Sequence, residues 1–282
     1  MATIDALSLQ SRVKLNDSYD IPILGFGTYE MDGRDAYRAV TYALETGYRL
    51  IDSAEWYYNE MECGQAIRDF MQRTEIPREE ICYTTKLMSN RGIQHARSAI
   101  RKSVKACGLG YIDIYLLHSP MGGFEMRKES WLAALEAKEE GLIRSIGVSN
   151  FSQRHLKEFA GAGFIPVLNQ IDLHPFMTRR QVVEYCQPNG ILLEAWAPLV
   201  RGLRFKHPVI QKIARAHDRK PSQVLLRYSL QKGYIPLPKS VSPSRIVENS
   251  QIFDFELTEN DMDALDNLDE YLVTDWDPTD AE

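Results

Sequence analysis

Short runs rich in Ile, Leu, Val and Tyr recur along the chain, at RLIDSA, ICYTTKL, IDIYLLH, IRSIGVSN, VLNQIDLH, ILLEAWAP, YIPLPKS and QIFDFE. Between most of them lie longer stretches whose apolar residues return at helical spacing. In AYRAVTYALETG, Ala36, Val40, Ala43 and Leu44 fall on one face, and Gly47 follows as the stop. HARSAIRKSVKACGLG repeats the plan, with Ile100, Val104 and Cys107 inward and Gly108 ending the helix. TENDMDALDNLDE opens on Thr258 as an N-cap and carries Met262, Leu265 and Leu268 as its stripe. Strands alternating with helices predict a parallel sheet with helical crossovers. About eight strands in one uninterrupted chain of 282 residues favour an α/β fold of the closed (β/α)8 TIM-barrel type.

No Pro/Gly/Ser-rich linker divides residues 1–282, so one barrel domain is expected, with a tail at about 271–282. The opening RVKLNDSYDIPILGFG differs from the rest. It reads as two strands about Asn16, Asp17 and Ser18, an N-terminal β-hairpin over about residues 11–28. The competing architecture is an open doubly wound sheet with a glycine-rich dinucleotide turn. GFGTYE at 25–30 and GLGYID at 108–113 each lack the third glycine, and the second runs from helix to strand, the reverse of the required order.

Composition narrows the function classes. With 44% hydrophobic residues the chain can bury a sizeable core, and a net charge of −6 offers no basic field for nucleic acid or an anionic membrane. MATIDALSLQSR lacks the basic and apolar regions of a secretory signal, and no apolar run is long enough to span a bilayer. Cys63, Cys82, Cys107 and Cys186 lie far apart with no CxxC pair, which suits reduced thiols in an intracellular, cytoplasmic protein.

Candidate chemistry emerges where strands end, since a barrel builds its active site at the C-terminal ends of its strands. Alternation along IDIYLLH carries Ile112, Ile114 and Leu116 to His118; along ICYTTKL it carries Cys82 and Thr84 to Lys86; along LIDSA it carries Leu50 to Asp52. Each alone has a plainer role: a turn carboxylate, a surface ion pair, a satisfied core histidine. Three consecutive strands ending in a carboxylate, an ammonium and an imidazole suggest a built site. Two tyrosines, Tyr57 and Tyr58, follow Asp52. The chemistry that fits is carbonyl reduction, in which an acid must protonate the developing oxyanion. A phenol with a pKa near ~10 is a reluctant donor at neutral pH. A lysine at ~4 Å, with an effective dielectric of ~20, would favour the phenolate by about 4 kcal/mol and is expected to lower that pKa. A carboxylate would hold the lysine charged, and the histidine would orient the carbonyl oxygen. These arguments leave either tyrosine open.

GYRLIDSAEWYYNE, IGVSNF at 146–151, PKSVSPSRIVEN at 238–249 and IFDFEL at 252–257 together resemble the signature stretches of an aldo-keto reductase, and the likeness covers nearly the whole chain. The resemblance implies a catalytic set of Asp52, Tyr57, Lys86 and His118, with Tyr57 as proton donor and NADPH/NADP+ as cofactor. It places Ser149, Asn150 and Gln170 at the nicotinamide carboxamide and Trp196 against the nicotinamide ring, where the family often has tyrosine. Gly27, Thr28, Ala197, Pro198 and Leu199 would lie along the cofactor. Lys239, Ser240 and Arg245 would grip the adenosine 2′-phosphate, with Glu248 and Asn249 beside the adenine. Two cations and a hydroxyl at a helix N-terminus suit a phosphate.

Some positions depart from the mammalian pattern. Tyr29 and Ser119 stand where tryptophans are common, and the tail LVTDWDPTDAE is short and acidic, as in microbial and fungal members. Tyr29, Trp56, Tyr58 and His118 are expected to line a substrate site suited to apolar or aryl carbonyl compounds. Asp172 and Glu194 fall on inward rows, where each needs a hydrogen-bond partner that the sequence does not name. Rival readings are a Schiff-base aldolase using Lys86, a metallohydrolase using His118 and His174, and an NADPH-binding redox-sensing regulatory barrel. His118 and His174 lack an HxH pair or a bridging ligand set, so no metal is expected. The sequence leaves the physiological substrate and the oligomeric state open.

Overall fold

A computed structural model of the chain describes residues 7–282. The hairpin comes first, β1 (Arg12–Lys14) antiparallel to β2 (Asp20–Pro22). It turns at Asn16–Ser18, where Ser18 takes φ 78° and the Leu15 amide donates to the Tyr19 carbonyl at 2.7 Å. An eight-stranded parallel sheet follows in chain order from edge to edge. Its strands are β3 (Phe26–Gly27), β4 (Leu50–Asp52), β5 (Cys82–Leu87), β6 (Ile112–Leu117), β7 (Ile143–Ser149), β8 (Leu168–Asp172), β9 (Leu192–Trp196) and β10 (Ile235–Pro236). The amides of Gly25 and Gly27 donate to the carbonyls of Pro236 at 3.1 Å and Pro238 at 3.0 Å, so the two edges meet and the sheet closes into a barrel. Gly25 permits that approach, since a Cβ there would lie 2.5 Å from the Leu237 side chain.

The connecting helices are α1 (Gly33–Thr46), α2 (Glu60–Thr74), α3 (Ile93–Cys107), α4 (Phe124–Glu139), α5 (Gln153–Gly161) and α6 (Arg180–Cys186). Then come α7 (Pro208–Ala216) and α8 (Pro221–Gln231) before β10, and α9 (Pro243–Ser250) and α10 (Glu259–Asp266) after it. Gly47 and Gly108 end α1 and α3 in left-handed conformation, as expected, and Thr258 caps α10 by accepting from the Asp261 amide. No described helix is long and apolar enough to cross a membrane. All four cysteines are buried and unpaired.

The number of barrel strands matches expectation, but two assignments need correction. The hairpin ends at Pro22, and the Phe26–Gly27 stretch, expected in the hairpin, is the first barrel strand. QIFDFE is not a strand. Its Ile252 is buried in the sheet–helix core, while Phe255 packs on the outside, 4.9 Å from the Arg219 guanidinium. The Phe/Ile alternation there serves packing across helices rather than a sheet ladder.

Inside the barrel, Leu50, Cys82, Ile114, Leu116, Leu168, Ile235 and Leu237 form one apolar cluster that Leu15 and Ile21 of the hairpin cap. Burying each large aliphatic side chain contributes about 1.5–3 kcal/mol. The hairpin is pinned beneath the barrel by Asp17, which accepts from Lys138 Nζ at 2.7 Å and Ser145 Oγ at 2.9 Å. With the N-terminal end covered, the open C-terminal ends of the strands are left to carry chemistry.

Candidate active site

Asp52 closes β4, Lys86 stands next to last in β5, and His118 directly follows β6. In the ladder Asp52 stands opposite Thr84 and Lys86 opposite Leu116, so the three ends step forward by two residues from strand to strand. That even step keeps all three side chains on one face of the sheet. Lys86 is fully buried, and its Nζ donates to Asp52 Oδ1 at 2.6 Å, to the Ser53 carbonyl at 2.8 Å and to Tyr57 Oη at 3.2 Å. An ammonium has three protons, and here each has an acceptor. Tyr57 therefore accepts from Lys86, which leaves its own phenolic proton free to point elsewhere. The same arrangement counts against the Schiff-base reading, because a sealed and fully engaged ammonium is a poor nucleophile.

Local structure separates the two tyrosines. After β4 the chain makes a 3-10 turn over Glu55–Tyr57, and Tyr58 adopts φ 55° before α2 begins. Buried Asn59 anchors this loop: its Nδ2 donates to the carbonyls of Thr28 at 2.9 Å and Met31 at 3.1 Å, and its Oδ1 accepts from Ser53 Oγ at 2.7 Å. Tyr57 is directed onto Lys86, whereas Tyr58 is 77% exposed. Asn59 was not singled out in the sequence, although it directly follows the tyrosine pair.

The expected lowering of the Tyr57 pKa needs correction. Burial pushes the phenol up, Lys86 opposes and Asp52 reinforces, so it stands at about 12. Charge neighbours were legible in the sequence; the depth of the hydroxyl was not. Burial pulls Lys86 down, but Asp52 and Tyr57 beside it outweigh this and leave the ammonium raised. Burial, helped by the Lys86 charge, holds His118 well below its ordinary value, so its imidazole is neutral near pH 7. The site thus combines a charged lysine, a protonated phenol and a neutral imidazole.

The inward carboxyls have partners. Asp172 accepts from the Thr274 amide at 3.3 Å and hydroxyl at 3.1 Å, and lies 3.1 Å from His174 Nε2. His174 is sealed inside, and its Nδ1 accepts from the Phe176 amide. Glu194 accepts from Gln170 Nε2 at 2.8 Å. Burial, then the Asp52 charge, raises Glu194 to about 8.

Thr274 belongs to the C-terminal tail, which returns across the barrel mouth and delivers Trp276. That indole stands 5.7 Å from Trp56 and 6.3 Å from His118, with Trp56 5.9 Å from His118 and Tyr29 5.1 Å from Tyr57. The rings gathered beside Tyr57 and His118 are those of Tyr29, Trp56 and a residue the sequence reading missed, Trp276; Tyr58, expected among them, lies outside these ring contacts. Arg201 ties the rim together through Glu30 at 3.0 Å and Asp275 at 3.4 Å.

On the other side of the mouth, Ser149 ends β7, Asn150 follows it, Gln170 sits in β8 and Trp196 ends β9. Asn150 Nδ2 donates to the His118 carbonyl at 3.0 Å and to Ser149 Oγ at 3.1 Å, and its Oδ1 accepts from Trp196 Nε1 at 2.9 Å, fixing the half-exposed indole. Ser149 Oγ donates to the Gln170 carbonyl at 2.9 Å. Ala197, Pro198 and Leu199 continue from Trp196, Ala197 with φ 49°. Gly27 pairs with Asp52, and the Thr28 hydroxyl donates to the Asp52 carbonyl at 2.9 Å.

Lys239 and Ser240 lie between β10 and α9, and Arg245 lies in the first turn of α9. Among the described residues neither Lys239 nor Arg245 pairs with a carboxylate, and both are exposed. Glu248 accepts from Ser222 Oγ at 3.0 Å, and Asn249 is buried behind it. Two unpaired cations at a helix N-terminus, a fixed indole and a row of amide and hydroxyl groups beside Tyr57 are a donor set that fits a phosphorylated dinucleotide with an aromatic carboxamide.

A family model described as the Aldo/keto reductase family matches residues 23–270. The chain is similar to an uncharacterized oxidoreductase of Schizosaccharomyces pombe, 47% identical over 272 residues and covering 96% of this chain and 98% of that protein. It is also similar to a glyoxal reductase of Bacillus subtilis, 39% identical over 264 residues and covering 93% and 94% respectively. Among solved structures, an aldo-keto reductase of Bombyx mori in complex with NADP matches with a TM-score of 0.88 at 34% identity, covering 95% of each chain.

Proposed function

The chain belongs to the aldo/keto reductase family, and from that premise we propose that it reduces aldehydes or ketones to alcohols with NADPH, using Tyr57 as the proton donor. The observation that carries this reading is Lys86 Nζ, held by Asp52 at 2.6 Å and joined to Tyr57 Oη at 3.2 Å at the barrel mouth. When bound, NADPH supplies a hydride from C4 of its nicotinamide to the carbonyl carbon.

The chain's own groups account for the rest. Tyr57, protonated across the neutral range, gives its proton to the developing alkoxide, which is a far stronger base than a phenolate. Lys86 stabilises the phenolate left behind, and Asp52 keeps Lys86 charged and in place. Neutral His118 orients the carbonyl oxygen from the opposite side. Trp56 and Trp276 exclude water around it, and their apolar faces favour aryl or aliphatic carbonyl compounds over sugars. For the cofactor, Gln170, Ser149 and Asn150 serve the carboxamide, and Trp196 packs on the ring. Lys239, Ser240 and Arg245 serve the 2′-phosphate, and Glu248 and Asn249 stand near the adenine. The hydride acceptor is a small-molecule carbonyl compound, and the site of action is the cytoplasm.

A screen of NADPH oxidation across aryl aldehydes, aliphatic aldehydes, ketones, diketones and sugars, with NADH as control, tests the reaction. Aryl aldehydes should give the higher kcat/KM, and a clear preference for sugars would count against the apolar pocket. Arg245→Ala should raise the Kd for NADPH by about ten- to a hundredfold, the loss of a charge-assisted phosphate contact, and that for NADH by less than about threefold. Equal weakening of both, measured by fluorescence titration, would contradict the phosphate contact.

A further inference from the structure

Glu194 lies in the middle of β9, fully buried inside the barrel, and the reaction as described does not use it. Its Oε2 accepts from Gln170 Nε2 at 2.8 Å, while its Oε1 is sealed without a partner among the described residues. The same Gln170 nitrogen donates to Asp52 Oδ2, also at 2.8 Å. The two protons of one amide nitrogen are therefore spent on two carboxyl groups, one from β4 and one from β9. Among the described residues Gln170 Oε1 receives no donor, yet it is not sealed from solvent. The other titratable groups facing Glu194 are Lys86 and Cys82, both on β5.

We propose that Glu194 is a positioning residue for the cofactor carboxamide: with Asp52 it locks the side-chain amide of Gln170 so that the carbonyl oxygen, not the NH2, faces the cleft. The proposal rests on the dinucleotide reading above and deepens it. A glutamine amide is nearly symmetric in shape, and turning it over exchanges an acceptor for two donors. With Asp52 alone, the turned-over amide would bring its oxygen against one carboxyl oxygen. With Glu194 present as the carboxylate it would meet two and lose both hydrogen bonds. The locked orientation selects a nicotinamide substituent that offers N–H. It also joins the nicotinamide site to the proton-donating site, since the carboxylate that holds Lys86 is one half of the clamp.

The experiment compares the binding of NADPH with that of its 3-acetylpyridine analogue, in which a methyl group replaces the amide NH2 and only the carbonyl remains. Titrations are run at about pH 9, above the value of about 8 to which burial raises Glu194, so that the carboxylate form prevails. Wild-type protein should bind the analogue roughly tenfold more weakly, the cost of one unmade hydrogen bond. In Glu194→Gln the new side chain can offer Gln170 either a donor or an acceptor, the amide can turn over, and the ratio should fall at least about threefold. Glu194→Thr serves the same purpose should Glu194→Gln not fold. A merely structural Glu194 would weaken both nucleotides alike, and that unchanged ratio would overturn the proposal while leaving NADPH use intact. Failure of wild-type protein to bind either nucleotide would sink the dinucleotide reading and this inference with it.

Discussion

Tyr57→Phe should lower the rate of carbonyl reduction by about 10²–10⁴-fold, the range expected when a positioned general acid is removed. The substitution deletes one oxygen, the one that accepts from Lys86 Nζ at 3.2 Å. The ring keeps its place among Tyr29, His118 and the Lys86 cation, which lies 4.7 Å from the ring centre. Lys86 retains Asp52 and the Ser53 carbonyl as acceptors, so the buried ammonium stays satisfied in two of three directions. The Kd for NADPH should therefore hardly move, and the loss should fall on kcat. Tyr58→Phe is the matched control, since that hydroxyl is on a largely exposed side chain without an acceptor role at Lys86. Stopped-flow single turnovers on both variants separate chemistry from product release. Equal losses in the two would show that the proton reaches the oxyanion by another route.

How much of this was legible beforehand depended on whether the signal was local. Asp52, Lys86 and His118 could be placed on one face at one end of the barrel because strand alternation is a local rule, although the ladder steps them two residues apart from strand to strand. The first barrel strand escaped notice because Phe26–Gly27 has two residues, one of them glycine, and owes its status to pairing with Ile51 and Asp52 of β4, which lies well downstream in sequence. IFDFE carries strong strand composition, yet Phe255 is drawn to the cations Arg219 and Arg227 on the outer surface. Trp276 is a lone aromatic in an acidic tail, and nothing near it in sequence says that Asp172 and Arg179 will pull the tail over the mouth. For Glu194, periodicity announced an inward side chain but not the Gln170 amide it would meet. The sign of the Tyr57 shift failed for a related reason: attraction by Lys86 can be estimated from charge, whereas desolvation needs the depth of the hydroxyl.

Lys86→Met should reduce turnover at least as severely as Tyr57→Phe, by about 10³-fold or more, and unlike that variant it should also weaken the fold. The Lys86–Asp52 pair is sealed, with side-chain exposures of 0% and 5% at 2.6 Å. Removing the cation leaves Asp52 with a single proton from Gln170 against a full buried charge. Breaking a buried pair in this way costs about 3–5 kcal/mol, because the surviving ion keeps its desolvation penalty and loses its compensation. The double variant Asp52→Asn/Lys86→Met separates the two effects. Its neutral amide can still accept from Gln170, and the methionine fills the volume of the lysine stem, so stability should return to within about 1–2 kcal/mol of wild type. Activity should not return, because the phenolate left by Tyr57 would still lack its cation. Urea unfolding and single-turnover reduction on the wild type, both single variants and the double complete the cycle. Turnover that recovers along with stability would mean that Lys86 serves the fold alone, and Tyr57 would then need a different partner.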